Sequence, residues 1–218
     1  MTMRILGISG SPVGGGNVEY MLGAALEEID GDRVQTTALH LSSLKVEGCR
    51  HCNWCIKKQT EDRFCAVRDD MDRIYSEATA CDGLLIATPV HLGRMSGQLA
   101  CALDRFRAFV HGAYYRGVLR NKVGGALAVS FFRNSGAERA LADLHWLFHT
   151  FNLIVATPDF PHLGAVAYAS IKGEGQVQKG LRHQVSLDEM GMASARATAK
   201  RVVELVRLTR QSPDGPLS

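Results

Sequence analysis

The sequence predicts a doubly wound α/β domain: five parallel strands in the order 2-1-3-4-5, helices on both faces, and a cysteine-rich loop inserted after the second strand. Short apolar runs alternate with stretches whose apolar residues recur every three or four positions, leaving room for one helix between successive strands. Right-handed crossovers of that kind place helices on each side of a parallel sheet. At 218 residues, 46% hydrophobic and 22% charged, the chain has the length and composition of one domain with a full core.

The first strand is read at residues 4–9, followed by turn formers at 10–17. Val18, Met21, Leu22, Ala25, Leu26 and Ile29 then recur at helical spacing until Asp30-Gly31-Asp32 stops the helix. Residues 34–41 form the second strand and 48–66 the cysteine loop. Asp69 and Asp70 open the next helix, where acidic side chains suit the positive end of the helix dipole. The third strand, 83–88, leads through a loop at 89–97 into one long helix carrying Leu99, Leu103, Phe106 and Val110. The fourth strand is 122–130, its loop 131–136 and its helix 137–151; the fifth strand is 153–157 and the closing helix 188–209. Residues 159–187, rich in glycine and poor in periodicity, read as a long excursion usable as a flap or subunit contact. One domain is thus expected over 1–209, with a flexible tail at 210–218 that contains Pro213 and Pro216.

The formal charge of +3 and the lack of a basic stretch interleaved with aromatics argue against nucleic acid or a membrane surface as partner. No apolar run reaches the roughly 18 residues of a membrane span, and the first apolar segment is too short for a secretory signal, so a cytoplasmic protein is expected. In that reducing compartment clustered cysteines read as metal ligands or redox groups. Cys81 and Cys101 stand apart and are expected to pack as small buried hydrophobes.

Four of the six cysteines fall in one stretch: Cys49, Cys52 and Cys55 at two-residue gaps, then Cys65 after nine residues. Such a run can wrap one metal centre from a single turn of backbone, the ligation pattern of a cubane iron-sulfur cluster. Structural zinc accepts four thiolates too, usually from two separated C-x-x-C pairs, and free thiols or a transient disulfide are the third reading. Arg50, His51, Lys57, Lys58, Arg63 and Arg68 outnumber Glu61 and Asp62 around the run. That surround would raise a cluster's reduction potential, and it also describes a solvated basic loop.

In the 2-1-3-4-5 order a crevice opens beyond the C-terminal ends of the first and third strands, and the loops facing it are 9–18 and 88–97. The first of these has no charged residue but offers Ser9, Ser11, Asn17, several glycines and a helix N-terminus, enough to hold a phosphate with neutral donors. Strand-to-helix turns are enriched in the same residues for purely local reasons. Neither G-x-x-x-x-G-K-[ST] nor G-x-G-x-x-G occurs, and Gly7-Ile8-Ser9-Gly10-Ser11 misses the G-x-S-x-G elbow at its last position.

Gly10-Ser11-Pro12 with Gly16-Asn17, the cysteine run followed by Asp69-Asp70-Met71, Thr88-Pro89-Val90 with Gly93 and Ser96, and Leu103-Asp104-Arg105 together resemble the iron-sulfur flavoproteins. These are a branch of the flavodoxin-like NAD(P)H-dependent FMN reductases, and the resemblance spans about residues 4–156. It implies a flavodoxin-like fold, non-covalent FMN, a 4Fe-4S cluster near enough to exchange electrons with it, and a homodimer or homotetramer with flavin near a subunit interface. By position it assigns the flavin phosphate to Ser9, Ser11 and Asn17 with the N–H groups of Gly16 and Val18. Pro89, Val90, His91, Leu92 and Gly93 fall on the ribityl chain and ring edge. Phe131, Arg133, Asn134 and Gly136 fall on a third loop around the ring, and Cys49, Cys52, Cys55 and Cys65 on the cluster ligands.

Three positions depart from the family pattern: the interval before Cys65 is long, His91 stands where Tyr is common, and Val18 replaces a frequent hydroxyl residue. His91 beside flavin could donate a proton or hydrogen bond to the reduced ring, or simply pack in place of Tyr. Arg94 could oppose the negative charge of reduced flavin or face solvent, Trp54 could shield the cluster, stack at an interface or simply be buried, and Asp104 with Arg105 is read as a structural or dimer ion pair. The implied function is an oxidoreductase passing electrons between a ferredoxin or NAD(P)H donor and an acceptor through FMN and the cluster. Two other functions fit the residues: an NAD(P)H-dependent FMN or quinone reductase whose loop holds zinc or free thiols, and an electron carrier or redox sensor without its own substrate.

Overall fold

A computed structural model describes residues 2–210. Its strands are β1 (Met3–Ser9), β2 (Val34–His40), β3 (Gly83–Pro89), β4 (Val123–Ser130), β5 (Ile154–Ala156) and β6 (Ala165–Tyr168). They form one parallel sheet in the order β2-β1-β3-β4-β5, as expected, with β6 also paired to β4. The helices are α1 (Asn17–Glu27), α2 (Trp54–Lys58), α3 (Met71–Ala80), α4 (Gly97–Asp104), α5 (Arg107–Val110), α6 (Ala137–Thr150) and α7 (Glu189–Arg210).

Alternate strand residues feed two separate cores, as the period-two geometry of a strand requires. Ile5, Leu85, Ala87 and Leu127 pack with Met21 and Leu22 of α1 and Ala195, Ala199 and Val202 of α7. On the opposite face Leu6, Ile8, Leu84, Ile86 and Ala126 meet Ile74 and Tyr75 of α3, Leu99 and Leu103 of α4, and Leu144 and Phe148 of α6. The sheet is therefore covered on both sides, and its polar loops emerge at its two ends.

Several expectations need correction. The sheet has a sixth strand inside the expected excursion. β5 pairs with Val123, Gly124 and Gly125, the chain then leaves the edge, and β6 returns to pair with the next stretch of the same strand, from Leu127↔Ala165 to Ser130↔Tyr168. Two short pieces thus share one edge of β4. The long helix expected at 97–110 is divided at Arg105 and Phe106, whose N–H groups bond to Ala102 and Leu103 three residues back. The Tyr75 hydroxyl donates to the Arg105 carbonyl at 2.9 Å there, competing with the helical ladder. Cys81 is buried, and that burial pushes its thiol up to about 11. Cys101 is exposed because it lies two positions from Leu99 and from Leu103, on the outer side of α4. The last helix extends to Arg210, and the rest of the expected tail lies outside the described residues. No helix among the described residues is long and apolar enough to cross a membrane.

Phe148 is fully buried, and its ring lies 3.0 Å from where a Cβ on Gly124 would stand. Truncation to alanine would leave a void that a glycine opposite cannot fill. Phe148→Ala is expected to lower the unfolding free energy by about 3–5 kcal/mol, read from urea denaturation.

Candidate functional site

Strand order reverses between β1 and β3, so the connections after them leave in opposite directions and open a crevice at the C-terminal end of the sheet. Residues 10–16, 90–96 and 131–136 all border that end. They are tied together by backbone. The Gly10 N–H donates to the Ala87 carbonyl at 2.8 Å, while the Ser96 hydroxyl donates to the Gly10 carbonyl at 2.6 Å and accepts from the Leu99 N–H as the N-cap of α4. A side chain on Gly10 would meet the Leu99 Cβ at 2.6 Å, so only glycine permits this approach. Gly136, at φ +100, abuts the backbone of Gly93 and brings the second and third loops into contact.

Ser9 and Ser11 are buried at the base of the first loop. The Ser11 hydroxyl donates to the Val13 carbonyl at 3.1 Å and accepts from the Val13 N–H at 3.0 Å, which curls the loop. Gly16 caps α1 without a side-chain hydrogen bond, leaving the first-turn N–H groups, including that of Val18, without the side-chain acceptor a capping residue would supply. Asn17 accepts from the Val185 N–H through Oδ1 at 3.0 Å, so its Nδ2 donors stay available. The Gly15 N–H is taken by the Glu19 carboxylate at 2.7 Å, whose other oxygen accepts from Ser42. The cradle therefore offers neutral donors from Ser9, Gly16, Asn17 and Val18, with one carboxylate close by, while the Ser11 hydroxyl and N–H are engaged within the loop.

In the second loop His91 and Arg94 exchange backbone hydrogen bonds around Leu92 (φ +49) and Gly93 (φ +78), a tight two-residue turn. Pro89 and Val90 are half-buried at its base, and the Val90 N–H donates to Val129. His91, Leu92 and Arg94 are exposed at the tip, with Leu92 fully so. In the third loop the hydroxyls of Ser130 and Ser135 both serve the Phe132 carbonyl. Phe131 and Phe132 are exposed and stack edge-on. Arg133 is held by the Lys172 carbonyl and lies 5.5 Å over the Tyr168 ring, while Asn134 turns the chain at φ +53.

The cysteine loop is gripped at both ends. Asp69 accepts from the N–H groups of Glu47 and Met71 and takes a two-oxygen contact from Arg105 at 2.7 and 2.6 Å. Arg105, whose side chain is wholly buried, also donates to the carbonyls of Glu47 and Val67, the residues flanking the loop. Its partner is Asp69, not the neighbouring Asp104, which is exposed. Inside the loop, Gln59 donates to the carbonyls of Phe64 and Ala108 and accepts from the N–H groups of Tyr114 and Tyr115. Arg63 covers Trp54 at 4.5 Å and bonds the carbonyls of Cys65 and Ala66. Arg107 holds Asn53, which with His51 adopts positive φ on either side of Cys52.

Cys49 and Cys52 are exposed and Cys55 and Cys65 half-buried, all four as free thiols. Burial pushes the Cys55 thiol up, and Cys65 and Cys49 push the same way, against Arg107. Among the described residues no three His, Cys, Asp or Glu side chains are gathered closely enough to hold a metal ion. The donor set still fits a thiolate-ligated centre in its chemistry: the Cys55 thiol feels both Cys65 and Cys49, and Arg63 and Arg107 are at hand to offset thiolate charge.

Residues 3–165 match the family of NADPH-dependent FMN reductases. The chain belongs to that family. It is 32% identical to the iron-sulfur flavoprotein of Methanosarcina thermophila, over 97% of this chain and 100% of that one. It is 34% identical to an iron-sulfur flavoprotein of Methanocaldococcus jannaschii, over 95% of this chain and 99% of that one. The WrbA-like flavodoxin of Agrobacterium tumefaciens shares the fold at a TM-score of 0.62 and 14% identity, over 96% of this chain and 99% of that one. As a member of the FMN reductase family the protein is a flavin-dependent oxidoreductase with a flavodoxin-like fold.

The grip on the cysteine loop has a pH signature. Burial alone would raise the Asp69 carboxyl, but Arg105 and the Glu47 N–H outweigh it and hold it below its ordinary 3.8. A lowered carboxyl stabilises the fold above its ordinary value and loses that contribution as pH falls toward the lowered one. Asp69→Asn, which strands a buried cation, is expected to cost about 3–5 kcal/mol near pH 7 and to flatten the loss of stability below about pH 4; urea melts across pH read both.

Proposed function

We propose that the protein is an iron-sulfur flavoprotein that passes electrons between a one-electron or nicotinamide donor, such as a ferredoxin or NAD(P)H, and an acceptor. FMN would lie in the crevice with its phosphate on Ser9, Ser11, Gly16, Asn17 and Val18. Its ribityl chain and ring would lie along Pro89, Val90, His91, Leu92 and Gly93 and against Phe131, Arg133, Asn134 and Gly136. Cys49, Cys52, Cys55 and Cys65 would hold a 4Fe-4S cluster. When bound, FMN supplies both hydride and single-electron chemistry, and a cubane cluster single-electron transfer.

The observation that carries this reading is the pairing of a charge-free cradle at the strand-order reversal with a four-thiol loop clamped by Arg105. The names of full-length relatives point the same way. In this reading the chain's own groups bind and orient rather than take part covalently. Ser96 keeps the first two loops together, and the Gly93–Gly136 contact holds the ring-side loops at one separation. The exposed Phe131, Phe132 and Leu92 leave apolar surface beside the crevice that a second copy would cover, consistent with a homodimer or homotetramer.

The exposure of Cys49 and Cys52 favours a second reading, an NAD(P)H-dependent FMN or quinone reductase whose loop carries zinc or free thiols. One preparation separates the two. Anaerobically purified protein is expected to show flavin bands on a broad brown absorbance, with about four irons and four sulfides per chain. Cys52→Ser and Cys65→Ser are expected to lose the iron and keep the FMN. Flavin with zinc or no metal, together with full NAD(P)H turnover, would establish the second reading instead.

A further inference from the structure

The first loop carries no charge of its own, yet a cation is brought to it from far along the chain. The segment 181–185, within the excursion, lies against residues 15–20. His183 pairs through Nε2 with the Gly15 carbonyl at 3.1 Å and stacks on Tyr20 with ring centroids 4.5 Å apart. Val185 donates to Asn17 at 3.0 Å. Gln184 is buried and fastens the segment from within, donating to the carbonyls of Gln178 and Leu181 and accepting from the Gln178 N–H. Arg182 is thereby placed on Gly15, where a Cβ would stand 2.5 Å from its Nη2.

Arg182 is exposed and has no carboxylate partner among the described residues. Glu19 and His40, which approach each other at 3.7 Å, lie beside the loop with His183 and Tyr20, and Glu19 places a negative charge against the Gly15 N–H. A dianion in the cradle would meet that carboxylate unless a cation offset it. An arginine anchored by its neighbours rather than by an acid is free to do so, and its planar fork matches a phosphate.

We infer that Arg182 supplies the cationic contact to the terminal phosphate of the flavin mononucleotide, an inference that rests on the crevice reading proposed above. The residue adds charge recognition to a loop whose own donors are neutral. It also makes the segment 181–185 part of the cofactor site.

The test is flavin binding to the flavin-stripped full-length chain, followed by fluorescence quenching, with FMN and riboflavin as paired probes. Arg182→Ala is expected to weaken FMN by about tenfold, leave riboflavin unchanged and flatten the dependence of FMN affinity on salt, while Arg182→Lys recovers part of the loss. Unchanged riboflavin binding also reports an intact crevice. If the wild type and Arg182→Ala prefer FMN over riboflavin to the same extent, this inference is overturned and the crevice reading stands. If the wild type itself does not distinguish FMN from riboflavin, the phosphate cradle is wrong and the inference falls with it.

Discussion

The buried pair of Arg105 and Asp69 is the constraint on which the region around the cysteine loop depends. Two charges withdrawn from water are costly unless most of their remaining hydrogen-bonding capacity is met. Here Asp69 receives two backbone N–H groups besides the guanidinium, and Arg105 serves two backbone carbonyls besides the carboxylate, while its buried Nε goes without a partner. Those backbone partners are the residues through which the chain enters and leaves the cysteine loop. The ion pair therefore acts as a clasp: it joins the loop's ends to one point at the α4–α5 junction, and a loop with its ends held loses less entropy when it organises around a ligand. Tyr75 completes the arrangement by taking the Arg105 carbonyl, which is also where the helix breaks.

The sheet was legible in the sequence because its signals are local and repeated. Runs such as Leu84 to Ala87 are apolar on both faces, as a central parallel strand must be, and the turn formers after Ser9 mark a strand-to-helix loop without knowledge of anything distant. Ser9, Ser11, Asn17 and the four thiols could be singled out for the same reason. β6 is not legible locally because it is four residues long, directly follows Gly164 and has no periodic run around it, and its pairing with β4 is a tertiary fact. The division between α4 and α5 was hidden because Leu99, Leu103, Phe106 and Val110 keep helical spacing across it. Arg105 stands beside Asp104 in sequence, which points to the wrong partner; the true one is 36 residues away. Arg182 carried no signal at all, since its significance lies in contacts of residues 168 positions apart.

The crevice is built largely by backbone approach. Gly10 against Leu99 and Gly136 against Gly93 are contacts that any side chain would push apart, and Ser96 joins two loops with one hydroxyl. This leaves the exposed side chains at the tip of the second loop, His91 and Leu92, free of structural duty, while Phe132 packs on Gly175 and Phe131 meets it edge-on. Scaffold and recognition are carried by different atoms of the same short segments, so the exposed tips can vary while the crevice keeps its shape.

Helix α4 has the crevice at one end and the clasp at the other. Ser96 caps it against Gly10, and Arg105 follows its last turn. Between these residues the helical rise of about 1.5 Å per residue sets a span of roughly 14 Å. The helix is thus a ruler between the two regions, and its length in residues is also an angle. Inserting or deleting one residue would rotate Arg105 by about 100° relative to Ser96 and swing the guanidinium away from Asp69. Changes of side chain along the outer face, such as at Cys101, leave that phase untouched. Evolutionary drift should accordingly be free in composition on the outer face of this helix, whose inner face carries Leu99 and Leu103 into the core, and closed to changes in its length.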